Sequence, residues 1–169
     1  MLTLAYRYRI YPDAIQDQML IEWMEICRSG FNYALREIKD WCDSRKCLVD
    51  RCSLEKEYIL PTDLKFPNEV YQLNNLPKAK KEFPQLSEVS SPVVQQAVKQ
   101  LHRRWEYFQK RGFGFPRFKK YGQFKPLLFP QFKDNPVINL HVKLPKIGAI
   151  PINLHRPIPT GLEARKVLW

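Results

Sequence analysis

The stretch SSPVVQQAVKQLHRRWEYFQKRG, residues 90–112, divides two kinds of sequence and sets the fold. Ser91 has the chemistry of an N-cap and Pro92 suits a first helical position. Val94, Ala97, Val98, Leu101, Trp105 and Phe108 then recur at helical spacing until Gly112 stops the run. One amphipathic helix is predicted. Its other faces carry Gln95, Gln96, Lys99, His102, Arg103, Arg104 and Lys110, a pattern that serves equally as a solvated basic surface or a nucleic-acid contact.

After Phe113 the pattern breaks into short segments, FPRFKKY, PLLFPQF, VINLHVKLPKIG, IPINLHRPI and EARKVLW, separated by Pro and Gly as in a small β-barrel or sandwich. Within INLHVKL, Ile138, Leu140, Val142 and Leu144 alternate against Asn139, His141 and Lys143, one dry face against one wet.

The N-terminal LTLAYRYRI alternates in the same way and predicts a half-buried strand. Its wet face bears Arg7 and Arg9, placed for solvation or for phosphate. Pro12 and Asp13 then suit the first turn of a helix carrying Ile15, Leu20, Trp23, Met24 and Cys27, which Ser29 and Gly30 are expected to end. A second helix follows, with Phe31, Ala34, Leu35, Ile38 and Trp41 or Cys42 on one stripe, making a helical hairpin or a helix-turn-helix. Between residues 43 and 90, Pro61, Pro67, Pro77 and Pro84 predict broken helical pieces, with NEVYQLNNL at most a short helix. The fold class is α+β: a strand, a helical block, then several strands. Such an order fits a barrel with a helical insertion, or a helical domain followed by a small β domain.

The formal net charge of +11 is unevenly spread. Residues 1–50 hold seven Lys/Arg against eight Asp/Glu, residues 51–90 six against six, and residues 91–169 fifteen against three. Clustered cations gain by releasing counterions from phosphates, so the second half implies a polyanionic partner. No apolar run approaches a membrane span or a signal peptide, which predicts a cytoplasmic protein without a membrane partner. Cys27, Cys42, Cys47 and Cys52 show no CxxC spacing and lie far from His102, His141 and His155, so thiols rather than a zinc site are expected. No Gly-rich phosphate loop or nucleophile elbow is present. The basic half offers only Glu106, Asp134 and Glu163 as carboxylates, each with an ordinary structural setting, so no catalytic residue, metal or cofactor is assigned to the chain.

Residues 111–126, RGFGFPRFKKYGQFKP, place five cations among five rings. Cations attract phosphate, while each ring stacked on an unpaired base contributes about 1–3 kcal/mol. Phe113, Phe115, Phe118, Tyr121 and Phe124 serve either that purpose or the inward face of a β element, and the core role is expected for most of them.

YRYRIYPDAIQDQ, CRSGFNYAL, SSPVVQQAVKQLHRRWEYF, GFPRFKK, KLPKIG and INLHRPIP occur here in the order found in the TnpB (OrfB) family of insertion-sequence proteins, compact RNA-guided nucleases ancestral to type V CRISPR effectors. The chain resembles the N-terminal portion of that family over nearly all its length. The resemblance implies an oligonucleotide-binding-like wedge barrel, partly incomplete, with residues 1–11 as its first strand, an inserted helical recognition domain over 12–111, and returning strands over 112–169. It also implies two partners, a guide RNA and the DNA beside a short transposon-adjacent motif, with sequence read by base pairing. By position, Ser91, Gln95 and Lys99 fall where the family contacts motif DNA, Gln being suited to adenine. Pro130 stands where relatives carry a polar contact, and it has no side-chain donor. Arg7, Arg9, Arg103, Arg104, Arg117, Lys119, Lys120, Lys143 and Lys146 are the expected phosphate and RNA-backbone contacts. The family's nuclease and zinc elements, with their Mg and Zn, would lie beyond residue 169. The chain is therefore expected to be inactive alone, nucleoid-associated when bound, and dependent on a partner for unpaired strand edges.

Overall fold

The computed structural model describes residues 5–46, 60–61, 63–125, 127–132, 134–158 and 166–168. Cys47 and Cys52 lie outside them, as does Glu163. The described elements run β1 (Arg9–Ile10), α1 (Ala14–Lys46), α2 (Glu69–Glu82), a 3-10 turn (Pro84–Ser87), α3 (Ser91–Arg111), β2 (Leu128–Phe129), β3 (Val137–Ile138), β4 (His141–Leu144), β5 (Gly148–Asn153) and β6 (Val167–Leu168). It is an α+β arrangement with an open antiparallel sheet.

α1 begins with a reciprocal capping box. Asp13 Oδ1 accepts from the Gln16 backbone N–H at 2.7 Å, and Gln16 Oε1 accepts from the Asp13 N–H at 3.2 Å. The helix then runs unbroken for 33 residues, so the expected stop at Ser29 and Gly30, and with it the two-helix hairpin, is corrected. The reason lies in the phase of the apolar stripe. Leu20, Trp23, Cys27, Phe31, Ala34, Leu35 and Ile38 are all buried, and their three- and four-residue spacing passes through Gly30 without a slip. Ser29 turns its hydroxyl back onto the Glu25 carbonyl at 3.0 Å, a use of serine compatible with a helix interior. Ile15, placed on the stripe by sequence, is 74% exposed instead.

α2 is a second departure, fourteen residues long with Pro77 inside it where only a short helix was expected. Asn68 caps it by accepting from the Tyr71 N–H at 2.9 Å, and Pro77 forgoes one backbone bond in an exposed position. α3 keeps the predicted length, but Ser90 rather than Ser91 is the N-cap, and neither serine makes a side-chain capping bond. Gly112 ends α3 at φ 72°, the left-handed conformation that only glycine adopts cheaply.

The main sheet has the order β1-β5-β4-β3, with β2 and β6 forming a separate pair. Arg9 faces Asn153 and Ile10 faces Ile152, so the N-terminal strand joins the C-terminal half directly. Of the strand expected over residues 2–10, residues 2–4 lie outside the described residues and residues 5–8 are not strand, with Tyr6 exposed rather than on a dry face, so the paired strand is corrected to Arg9–Ile10. The expected alternation through INLHVKL is interrupted: Asn139 and Leu140 have φ of 45° and 61°, the signature of a type I′ turn that joins Ile138 to His141. Ile138 and Leu140 are exposed in consequence, and only Val142 and Leu144 turn inward. One contiguous buried cluster unites α1, α3, the residues Phe124, Leu127 and Phe129, and the sheet residues Val142, Leu144, Ile150 and Ile152.

Candidate nucleic-acid interface

Every fourth residue along the outer side of α3 is exposed or half-buried: Ser91, Gln95, Lys99, Arg103, Tyr107 and Arg111. Such a row winds by about 40° per step, so the first four share one broad face, while Tyr107 and Arg111 turn away from it. Arg111 lies 5.4 Å from the centre of the Tyr107 ring. At the start of the row α2 contributes Lys80, whose Nζ donates to Ser91 Oγ at 2.6 Å. Lys146, held at φ 67° in the turn between β4 and β5, donates to the carbonyls of Ser87 and Glu88 at 2.7 and 3.1 Å. Burial and then the charge of Lys146 push the Lys80 ammonium below the usual lysine range. Two cations therefore meet at the uncapped start of α3, where backbone N–H groups already favour anions.

A second cluster surrounds the GFPRFKK segment. Asn32 on α1 clamps the Lys119 backbone, accepting its N–H at 2.8 Å and donating to its carbonyl at 2.9 Å, while Arg28 Nη1 donates to the same carbonyl at 3.2 Å. The clamp fixes the loop across α1. Arg104 lies 5.6 Å from the centre of the Phe31 ring, and burial, followed by Arg104, lowers the Lys119 pKa. Arg117 and Lys120 are exposed. Among the described residues the ion pairs are Arg28 with Glu25 and Arg36 with Asp40, neither of which uses a predicted site cation.

Residues 1–47 match the helix-turn-helix domain of the OrfB (IS605) family. Over those residues the chain is similar to that family's N-terminal domain. No curated protein matches the chain. Among the described residues the matched segment comprises β1 and the single helix α1, and helix-turn-helix domains are a DNA-binding class. α1 itself bears six carboxylates among its charged side chains. The basic row lies on α3, outside the matched residues.

The remaining predicted contacts do not all converge. Arg9 and Lys143 point from the same wet sheet face, with Arg9 5.7 Å from the centre of the Tyr11 ring. Lys143 pairs with Ala149, however, and Arg9 with Asn153, two strands and four residues away, which separates them by roughly 16 Å. Arg7 is exposed beside them. His102, read as part of the basic face, is buried and therefore corrected. Its Nε2 lies 2.8 Å from Gln72 Oε1, and the Gln72 nitrogen donates to the Ala34 carbonyl at 2.9 Å and to Glu37 at 2.8 Å. The amide oxygen must accept, so the imidazole Nε2–H donates. Burial holds His102 below the usual imidazole range against the pull of Glu69 and Glu106, and burial also raises the Glu37 carboxyl.

The rings divide as well. Phe124 is buried, and Phe115 packs on Trp105 and Phe108 with centroids 5.6 and 5.1 Å away. Phe113, Phe118 and Tyr121 are 70%, 45% and 77% exposed, which corrects the core role expected for most of the five. Cys27 is buried and its thiol is pushed up to about 12, a structural rather than reactive setting. Sequence reading missed Lys80, because the short helix expected there ends before it, and Asn32, whose partner lies 87 positions away. Among the described residues no group of three or more His, Cys, Asp and Glu side chains converges as a metal ion would require. No helix among them is long and apolar enough to cross a membrane.

Proposed function

We propose that this chain is the nucleic-acid-binding N-terminal portion of a TnpB (OrfB)-type, RNA-guided protein, and that it grips guide RNA and the duplex beside the target without cutting either. The observation carrying this reading is the α3 row: Ser91, Gln95, Lys99 and Arg103 on one face, met at its start by Lys80 and Lys146. Gln95 is exposed and free to address a base edge, whereas the lysines and arginines address phosphate. Ser91 Oγ accepts no capping N–H and instead accepts from Lys80, which orients it. In this reading the four-stranded sheet and the β2–β6 pair belong to one wedge barrel of oligonucleotide-binding type. The loop cations Arg117, Lys119 and Lys120 hold RNA backbone.

The test is a salt titration of binding by the purified chain to a structured RNA and to a DNA duplex. Affinity is expected to fall with a log–log slope of about −0.7 to −0.9 per phosphate neutralised. Undetectable or salt-independent binding by folded protein would refute the proposal. Magnesium-dependent cleavage by this chain alone would refute its non-catalytic half.

A further inference from the structure

The geometry points to a binding slot for a single unpaired nucleobase between α1 and the turn at residues 120–123, with Tyr121 as its stacking partner. The slot, about 330 Å³, is lined by Ile21 and Met24 of α1 and by Phe124, Tyr121 and Lys125. Its lining is almost wholly apolar, yet it opens beside two exposed lysines, Lys120 and Lys125, neither of which has an ion-pair partner among the described residues. An apolar recess edged by unpaired cations complements a nucleotide, whose base is flat and π-faced and whose phosphate is anionic.

The slot is pre-formed. Gly122, at φ 69°, occupies the third position of a β-turn closed by the Gln123 N–H donating to the Lys120 carbonyl at 3.1 Å; the positive φ is what a type II turn requires there. Gln123 Oε1 accepts in turn from the Lys120 N–H at 3.2 Å. The Gly122 N–H donates to Glu25 Oε1 at 2.8 Å, and the other Glu25 oxygen is held by Arg28. Both oxygens of the one carboxylate beside the slot are thus occupied by donors, so it presents little repulsion to a phosphate. Tyr121 is left 77% exposed on an immobilised backbone, which reduces the ordering cost of stacking. A wider groove along α1 beside Phe118 is balanced in charge, with Arg36 and Lys39 set against Asp40 and Asp43, and lacks the almost wholly apolar lining a base would stack into.

This inference rests on the nucleic-acid-binding reading and adds a preference for single strands at one named ring. Binding of a labelled oligoadenylate and of a blunt DNA duplex is compared for wild type, Tyr121→Ala, Tyr121→Phe and Lys120→Ala/Lys125→Ala. Tyr121→Ala is expected to weaken oligoadenylate binding about 5- to 150-fold and duplex binding less than about twofold, with Tyr121→Phe close to wild type. A 2-aminopurine probe should be quenched by wild type and by Tyr121→Phe only. If the lysine variant weakens both ligands while Tyr121→Ala changes neither, the slot is overturned and the broader reading stands. If wild type binds no nucleic acid, both fall. A wild-type dimer that Tyr121→Ala converts to a monomer, with oligoadenylate binding unchanged, would show a second copy in the slot and overturn the inference. Tyr121 is exposed, so its replacement leaves the core intact, and matched thermal midpoints verify this.

Discussion

Asn32 and Lys119 exchange two hydrogen bonds, 2.8 and 2.9 Å long, between a helical side chain and both polar groups of one loop residue. This pairing satisfies the backbone of a segment that forms no strand and sets the basic loop against α1. Asn32→Ala leaves a partly buried N–H and carbonyl without that partner, at an expected cost of about 1–3 kcal/mol. Chemical denaturation measures it, and amide exchange at residues 117–123 should accelerate more than exchange in α3. Unchanged loop protection would contradict the clamp's role.

Gly30 offers a test of the continuous helix. An added Cβ meets nothing within 4 Å and its φ is not positive, so Gly30→Ala should stabilise the fold by about 0.5–1 kcal/mol. Gly112→Ala, at φ 72°, should instead cost about 1–2 kcal/mol. A turn with a left-handed glycine at position 30 would reverse the first sign, which denaturant midpoints would reveal.

His102 makes stability depend on pH. Burial keeps its native pKa below the ordinary 6.5, so as pH falls through that value the unfolded chain takes up a proton before the folded one. Stability should therefore decline from neutral pH down through 6.5 until the native pKa is reached. Glu37 acts with the opposite sign: its raised pKa disfavours folding as pH rises from 4.5 through its native value. Replacing His102 with Gln should flatten the upper window and leave the lower one, as urea midpoints across pH would show.

On α3, Gln95 and Arg103 should separate by function. Gln95→Ala is expected to relax discrimination at one base pair of the bound duplex by about 1–3 kcal/mol. Arg103→Ala should weaken all duplexes alike and reduce the salt slope by about one. Competition binding with single-base variants distinguishes them; equal losses for every sequence from Gln95→Ala would remove its reading role.

Part of the interface was legible because it depends on local spacing. The α3 stripe from Val94 to Trp105, the helix stop at Gly112 and the alternation around Val142 and Leu144 follow from periodicities of 3.6 and 2 residues that short windows contain. Gly30 was misread for a related reason: glycine is a statistical stop, whereas the unbroken phase from Cys27 to Phe31 was the stronger signal. Ser90 and Ser91 are chemically equivalent as caps, so only the register of the helix could choose between them.

The sequence alone determined the charge asymmetry, the apolar stripes of α1 and α3, and the strand–helix–strand order, since each is a property of composition or near-neighbour spacing. Only the tertiary structure decided which polar groups remain available. It sealed His102 under α2, bound Lys146 to the carbonyls of Ser87 and Glu88, and spent the backbone of Lys119 on Asn32, while leaving Gln95, Arg117 and Tyr121 exposed. Those outcomes depend on partners tens of residues distant, and burial is a property of the packed pair rather than of either residue.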